Sequence, residues 1–380
     1  MMLERQTKGP ADLAIDVKLK WIKRRLKEWV QVKKSEMNGT YNSKLKRLEE
    51  LEVSAEQRNL NEGEIEDKAN CRSYIMEMDK LKAMDIKQKS RVRWAKEGDE
   101  NTKYFHGIVN ANTSNNRIHG LHTDGVWVTS PPLVKDHVYS FFAEKFVEPI
   151  VTRPSLSCPF LSTLTNDDAS MLVSPFTSLE IKTAIWECEG DRPPGPDGIN
   201  LNFIKKFWGA LQGNFVSLFE YFFSKENLNI GCMSSFLALI PKRSDAGGLH
   251  DYHPISLIGC VNKIISKVLV NRLKPVVQKL VSEEQTAFLA NRSILDGVII
   301  LNELIPWLKR NKKEAMIFKV DIEKAYDSLS WEFISSILSQ MNFPEVAKLD
   351  YGNSDIGAGI GSCQWLPDSR VFMFEGIAAR

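Results

Sequence analysis

The chain has 380 residues, 43% of them hydrophobic, which is enough for two or three domains with sizeable cores. Its formal net charge of +2 neither requires nor excludes a nucleic-acid partner. No run approaches the roughly 20 apolar residues of a membrane span, and the amino terminus lacks a signal-peptide core. We therefore expect no membrane contact and an intracellular location, in the nucleus or cytoplasm.

Cysteine and histidine spacing argues against a zinc site. Six cysteines are scattered singly without a Cys-x-x-Cys pair, which predicts reduced thiols. His119 and His122 form a lone His-x-x-His beside a turn, and we predict that both are surface residues.

Residues 13–90 predict helices with segregated charges. Residues 17–34 hold eight basic side chains against one acid, whereas residues 49–67 hold eight acids against one arginine. An apolar stripe runs along the first helix at Leu19, Ile22, Leu26 and Trp29. We interpret this helix as packed on a neighbour through Trp21 and Trp29; the alternative is a basic helix that follows a phosphate backbone.

The central region predicts a hairpin, a helix and a boundary. Asp124-Gly125 is typical of a tight turn, and a second strand starts at Val126. Pro131-Pro132 ends that strand, and residues 133–146 predict a helix. Residues 149–176, rich in Ser, Thr and Pro, mark the best domain boundary.

A second Pro- and Gly-rich segment follows a helix predicted over residues 179–186. In residues 192–198, Arg-Pro-Pro-Gly-Pro-Asp-Gly, proline restricts φ whereas glycine permits positive values. The segment predicts a stiff, exposed turn, which on these grounds alone is an ordinary connector.

The next elements are a short strand and a long helix. Phe236 to Ile240 predicts a buried strand that ends at Pro241-Lys242. The helix after it carries a core-facing stripe of Val261, Ile264, Ile265, Val268, Leu269 and Leu273. Four basic residues lie off that stripe, and either contact nucleic acid or are solvated: Lys263, Lys267, Arg272 and Lys274.

Residues 318–328 carry the most informative pattern. Asp321 ends an apolar strand predicted over Ala315 to Val320, and Tyr326 follows five residues later. A carboxylate at the end of this strand can bind the Mg²⁺ that holds the incoming phosphates, as a template-copying polymerase requires. The Tyr326 ring can lie under the incoming sugar. The alternative is that Asp321 caps a helix near Ser328 and Tyr326 packs in the core.

Several blocks in one order carry a family resemblance. They are residues 90–106, 125–146, 192–208, 234–242, 251–274, 283–297 and the Asp321 segment. Over residues 85–344 the chain resembles the reverse transcriptase of plant-type non-LTR (LINE-like) retrotransposons.

The resemblance implies an α+β, helix-rich fold, with N-terminal charged helices before the fingers and partial palm of a right-hand polymerase. It implies a charged helical linker over residues 1–90 and an N-terminal extension of the polymerase over 91–176. Fingers and partial palm would cover residues 177–344, and a divergent tail residues 345–380.

The resemblance also implies residue roles. Asp321 would be the catalytic metal ligand for Mg²⁺. Nucleotide-binding residues would be Lys242, His253, Ile322 through its carbonyl, and Tyr326 as the sugar gate. Template or primer contacts would be Gly195, Asp197, Gly198, Arg272 and Arg292. The partners would be an RNA template, a DNA primer and dNTPs.

Two positions depart from the family. His253 stands where the family has Arg, which predicts weaker nucleotide binding because neutral His offers a single donor. Asn291 replaces a usual Gly, and Asn tolerates the left-handed backbone region, so we expect the turn to form.

The sequence after Asp321 contains no adjacent Asp pair, and the resemblance is expected to stop after Pro344. Two Mg²⁺ ions repel each other and need several carboxylates, so we expect a truncated, inactive fragment. Three alternatives remain: a non-catalytic nucleic-acid-binding remnant, a protein-interaction module on the charged helices, or a poorly folding product.

Overall fold

The structure is a computed structural model that describes residues 9–90, 102–115, 118–123, 125–145, 157, 162–225, 228–233, 235–243, 245–318, 320, 330–344 and 372–373. The first helices are α1 (Ala11–Gln57), α2 (Glu62–Ser90), α3 (Thr102–Asn115), α4 (Pro131–Lys145), α5 (Asn166–Leu172) and α6 (Ser178–Glu187). They are followed by α7 (Leu201–Lys206), α8 (Trp208–Lys225), α9 (Ile230–Met233), α10 (Cys260–Leu280), α11 (Ile294–Arg310) and α12 (Trp331–Gln340). The strands are β1 (Leu121–Thr123), β2 (Val126–Val128), β3 (Ser235–Pro241), β4 (Tyr252–Ile258) and β5 (Phe372–Met373).

The fold is α+β and helix-rich, as predicted. β1 and β2 form an antiparallel hairpin in which Leu121 pairs with Val128, and the other sheet has the order β4-β3-β5. None of the described helices is long and apolar enough to cross a membrane.

The chain forms two compact units, each assembled from separate stretches of sequence. The first contains Met1–Leu19, Tyr139–Phe236 and Ser256–Phe372, and the second contains Lys20–Val138, Leu237–Ile255 and Met373–Arg380. The predicted division at residues 90, 176 and 344 stays a prediction.

The core of the first unit lies among α6, α7, α8 and α10. Helix α6 begins with a capping box, in which the Thr177 side chain accepts from the Glu180 amide and the Glu180 carboxylate accepts from the Thr177 amide. The aromatic side chains of α8 are spaced for one face, and Phe215 and Phe219 are fully buried. Each such burial contributes about 1.5–3 kcal/mol, so this face of α8 holds the unit together.

The core-facing stripe predicted on α10 is largely confirmed, because Val261, Ile264, Ile265 and Val268 are buried. The strand predicted over residues 315–320 is wrong for the described part of that range. Residues 315–318 and 320 have no regular secondary structure, and Phe318 is 81% exposed. A strand needs a hydrogen-bonding neighbour, and the described residues supply none at this segment.

The second unit contains a helical hairpin of α1, from Lys20 onward, and α2. Ion pairs connect the two helices, including Arg47 to Asp67 at 2.8 Å and Arg72 to Glu52 at 2.7 Å. The packing predicted for α1 holds for Ile22, which is 2% exposed, but is wrong for Trp29, which is 52% exposed.

Candidate functional site

The turn between β3 and β4 fixes Lys242 in the second unit. Pro241 ends β3, and the Lys242 amide donates to the Asp251 carbonyl at 2.8 Å. The Lys242 Nζ donates to the His250 carbonyl at 2.9 Å, while the side chain remains exposed. This turn therefore holds an ammonium group at the end of a strand, in reach of solvent and of a ligand.

Asp251 organises the same turn from within. Its Oδ2 accepts from the amides of Gly247 at 3.2 Å and Gly248 at 3.1 Å, and from Arg243 Nη2 at 3.0 Å. The Gly248 amide, helped by Arg243, lowers the pKa of the Asp251 carboxyl below its ordinary value. The carboxylate consequently stays ionised and keeps the turn closed around it.

A cavity of about 900 Å³ opens beside this turn, within the second unit. One wall consists of Lys242, Arg243, Asp251 and Tyr252, and another of residues of the β1–β2 hairpin. On the hairpin side, His122 lies against Trp127 with ring centroids 4.8 Å apart. The His122 amide donates to the Gly247 carbonyl at 2.8 Å, so hairpin and turn are joined. The prediction that His119 and His122 are surface residues is confirmed, since both are exposed.

Of the predicted nucleotide-binding residues, the structure places Lys242 and His253 on adjoining pieces of one sheet. His253 is exposed on β4, two residues beyond Asp251, which is bonded to the Lys242 amide. Asp321, Ile322 and Tyr326 lie outside the described residues. Among the residues that the structure describes, no three His, Cys, Asp or Glu side chains group in a way that could hold a metal ion.

The Pro- and Gly-rich segment, residues 192–198, is docked against the start of α10 rather than exposed throughout. Asp197 is 8% exposed, and its Oδ2 accepts from the Cys260 amide at the first turn of that helix. A carboxylate at a helix N-terminus satisfies a free amide and complements the helix dipole. Lys263 Nζ also donates to the Pro193 carbonyl at 3.1 Å.

The glycines of this segment have steric reasons to be glycine. A Cβ on Gly195 would lie 2.5 Å from the carbonyl carbon of Ile258, and Gly198 has φ +67°. Residues 192–194 remain exposed, whereas Gly195 and Asp197 are buried. The prediction of an exposed turn is therefore corrected for this second half, which the structure assigns to holding α10 in place.

Arg272 takes a structural position that differs from the predicted template contact. Its Nε and Nη2 donate to the two carboxylate oxygens of Glu180 at 2.6 and 2.9 Å. Nη1 donates to the carbonyls of Leu172 and Ser174, and Nη2 donates to that of Pro175. The side chain is 8% exposed, and these bonds occupy all five N–H donors. These bonds make Arg272 an anchor between α10 and α6, and the template contact predicted for it stays a prediction.

Arg292 closes the turn after α10. Its Nη1 donates to the carbonyls of Ser282 and Gln285, and its Nη2 donates to the Val281 carbonyl at 2.9 Å. Asn291 has φ +64°, which confirms that Asn adopts the left-handed conformation at this position. The template contact predicted for Arg292 stays a prediction, and its observed bonds stabilise the turn.

Sequence reasoning missed Glu180 and the Asp251 turn. Glu180 follows Thr177 by three residues, which is a capping-box signature, but no sequence signal indicates that a distant arginine also binds it. Asp251 follows Gly248 by three residues in the same manner, which could have indicated that it caps this turn.

A model of the family described as "Reverse transcriptase (RNA-dependent DNA polymerase)" matches residues 240–366. That range begins within β3 and contains Lys242, His253, Arg272, Arg292 and Asp321. The match continues past Pro344, so the expectation that the resemblance stops there is wrong.

Relatives named for transposable elements match a larger part of the chain. A "Transposon TX1 uncharacterized 149 kDa protein" of Xenopus laevis is 24% identical over 287 residues, which are 73% of this chain and 22% of that protein. A Pol polyprotein from the type-1 retrotransposable element R1 of Bradysia coprophila is 26% identical over 160 residues, 40% of this chain and 15% of its own length. One from element R2 of Popillia japonica is 24% identical over 173 residues, 45% of this chain and 23% of its own length.

Residues 240–366 are thus similar to a reverse transcriptase domain, and the relatives are named for transposable elements that support a likeness to the non-LTR retrotransposon type. The chain spans about a fifth of the length of the first relative, 22%. The plant-type part of the resemblance stays a prediction.

Proposed function

We propose that the chain carries the nucleotide-binding side of an RNA-directed DNA polymerase, which adds dNTPs to a DNA primer on an RNA template. The observation that carries the proposal is the reverse transcriptase match over residues 240–366, which contains both Lys242 and Asp321. The relatives named as retrotransposon Pol polyproteins support the same class of reaction.

Lys242 is proposed to bind the triphosphate. Its ammonium is exposed beside the cavity, and its bond to the His250 carbonyl orients it without neutralising its charge. His253 replaces a guanidinium that would bind phosphate through two donors, so we propose that the nucleotide is held more weakly here than in a relative with Arg.

Asp321 is proposed to hold Mg²⁺, a hard ion that prefers carboxylate oxygens. Bound there, the ion would neutralise charge on the nucleotide phosphates. Tyr326, five residues later, is proposed to exclude a 2′-hydroxyl. Because the printed sequence after Asp321 has no adjacent Asp pair, we propose that these 380 residues alone do not complete a two-metal site.

Primer extension tests this proposal. The purified chain would be incubated with an RNA template, an annealed DNA primer, dNTPs and Mg²⁺, beside Asp321→Ala. We expect no extension above that variant. Extension that Asp321→Ala abolishes would contradict the proposed incomplete site and establish the polymerase activity.

A further inference from the structure

Helix α1 presents a basic face in its solvent-exposed section. Arg24, Lys27, Gln31 and Lys34 follow one another at intervals of three, four and three residues, which places them on one side of a helix. All four side chains are exposed. We call them the basic face; Lys20 and Lys23 extend it toward the amino terminus.

The acids of this section do not neutralise the basic face. Glu28 accepts from Arg25 Nη1 at 3.0 Å, and Glu36 accepts from Lys33 Nζ at 2.9 Å. Both pairs are exposed and use cations outside the basic face. Within the described part of the chain, no acidic partner is recorded for Arg24, Lys27 or Lys34.

The opposite side of the helix decides which anion the face suits. A basic amphipathic helix binds a membrane or a partner groove through its apolar stripe. Here Leu19 is 1% exposed and Ile22 is 2% exposed, so the start of that stripe is already covered by the protein itself. Within the section Trp29, Val30 and Val32 are exposed, but Lys33 follows Trp29 by four residues and Val30 by three, so it interrupts them on the helix surface. The basic face is therefore the continuous feature that this section presents to a partner.

The spacing of the cations suits a repeating polyanion. The basic face extends over ten residue steps from Arg24 to Lys34, about 15 Å at 1.5 Å per step. Along that length one nucleic-acid strand presents several phosphates, about 3.4 Å apart along a duplex axis. A rigid row of exposed cations therefore meets successive phosphates without reading base edges.

We propose that the basic face of α1 is a sequence-independent binding surface for a nucleic-acid phosphate backbone, separate from the Lys242 turn. It supplies affinity for RNA or DNA whether or not a nucleotide is bound. The proposal does not depend on polymerase activity, since it invokes neither Mg²⁺ nor dNTP.

The test is the salt dependence of binding to a labelled, mixed-sequence single-stranded RNA, measured by fluorescence anisotropy in EDTA without dNTPs. The basic-face variant is Arg24→Gln, Lys27→Gln and Lys34→Gln in one chain. The control variant is Arg25→Gln, Lys33→Gln and Lys44→Gln, which changes net charge equally on other faces of the same helix. Far-UV circular dichroism checks that both variants keep their helix content.

Each phosphate contact contributes about 0.7 to the slope of log K against log salt for a single strand. We expect the basic-face variant to reduce the slope by about 2, and the control variant to reduce it by less than about 1. The single variant Lys27→Gln should reduce it by about 0.7. Equal reductions in the two triple variants would overturn the proposal, as would a wild-type chain that binds no RNA and no duplex DNA. Binding only to vesicles containing phosphatidylserine would instead identify an anionic membrane surface and overturn it too.

Discussion

The two carboxylate oxygens of Glu180 accept from Nε and Nη2 of Arg272, at 2.6 and 2.9 Å. The guanidinium also lies 4.1 Å from the ring centroid of Phe176. One arginine thus connects α10, the cap of α6 and the segment between α5 and α6. Arg272 lies within the range that the reverse transcriptase match covers, and its pairing ties that range to Glu180, which precedes it.

Arg272→Ala is expected to destabilise the chain by about 3–5 kcal/mol, because it leaves a partly buried carboxylate and three carbonyls without their donor. Arg272→Lys should restore little of the lost stability, since an ammonium lacks the planar guanidinium geometry that binds both Glu180 oxygens. Urea unfolding measures both. Lys267→Ala, which breaks the more exposed pair with Glu187 at 3.0 Å, serves as control and should cost at most about 1 kcal/mol. Equal losses in Arg272→Ala and the control would contradict the anchoring role.

Gly195→Ala is expected to lower the free energy of unfolding by about 1–3 kcal/mol, because the added Cβ would meet backbone atoms of Ile258 and Gly259. Gly213→Ala is the matched change in α8, where a Cβ meets nothing within 4 Å. It should stabilise by about 0.5–1 kcal/mol because alanine is the better helix former. A neutral Gly195→Ala would show that the segment does not pack on α10 as described.

The α1–α2 junction should lose stability in acid. Arg58 donates through both Nη atoms to the Glu64 carboxylate, which also accepts from the Asn61 amide. The bonds from Arg58, together with that from the Asn61 amide, lower the pKa of Glu64 to about 2. The unfolded chain then binds the proton more readily than the folded chain, so the contribution is present above the ordinary pKa and is lost as pH falls toward about 2. Urea unfolding followed by circular dichroism, at pH values between the ordinary pKa and about 2, measures the free energy of unfolding. That free energy should depend less on pH in Glu64→Gln than in the wild-type chain. An unchanged dependence would indicate that the pair does not form in solution.

Sequence patterns predicted the elements whose spacing and end signals agree. The hairpin around Gly125, the α6 helix and the buried stripe of α10 all have a clear period or a turn residue. The strand predicted over residues 315–320 is absent from the described residues of that range, because a strand forms only with a partner, which apolar composition does not supply. The prediction that Trp29 packs on a neighbour was wrong because helical periodicity indicates a face but not how far along the helix a neighbour extends.

For the site residues, too, local placements could be predicted from the sequence and long-range partners could not. Lys242 follows a strand and a proline, so its placement at a turn could be anticipated. Arg272 and Asp197 looked like nucleic-acid contacts because they are polar and occur in family blocks. Their actual partners, Glu180 and the Cys260 amide, are 92 and 63 residues away, and spacing alone does not reveal such pairs.

His253→Arg is expected to tighten dNTP binding by about tenfold, since one added charge-assisted hydrogen bond contributes about 1.5 kcal/mol. Equilibrium binding of a fluorescent dNTP measures the change. His106→Arg on α3 adds the same charge at an exposed residue that does not line the cavity, and should leave affinity within about twofold. A similar gain from both variants would point to overall charge rather than to a contact at residue 253.

The most direct test of the account is Mg²⁺-dependent dNTP binding by the full chain, measured beside Asp321→Ala and Lys242→Ala. A reverse transcriptase nucleotide site predicts saturable binding that Mg²⁺ strengthens, with the effect of Mg²⁺ lost in Asp321→Ala and the affinity reduced in Lys242→Ala. Binding that neither variant changes, or no binding with Mg²⁺ present, would contradict it.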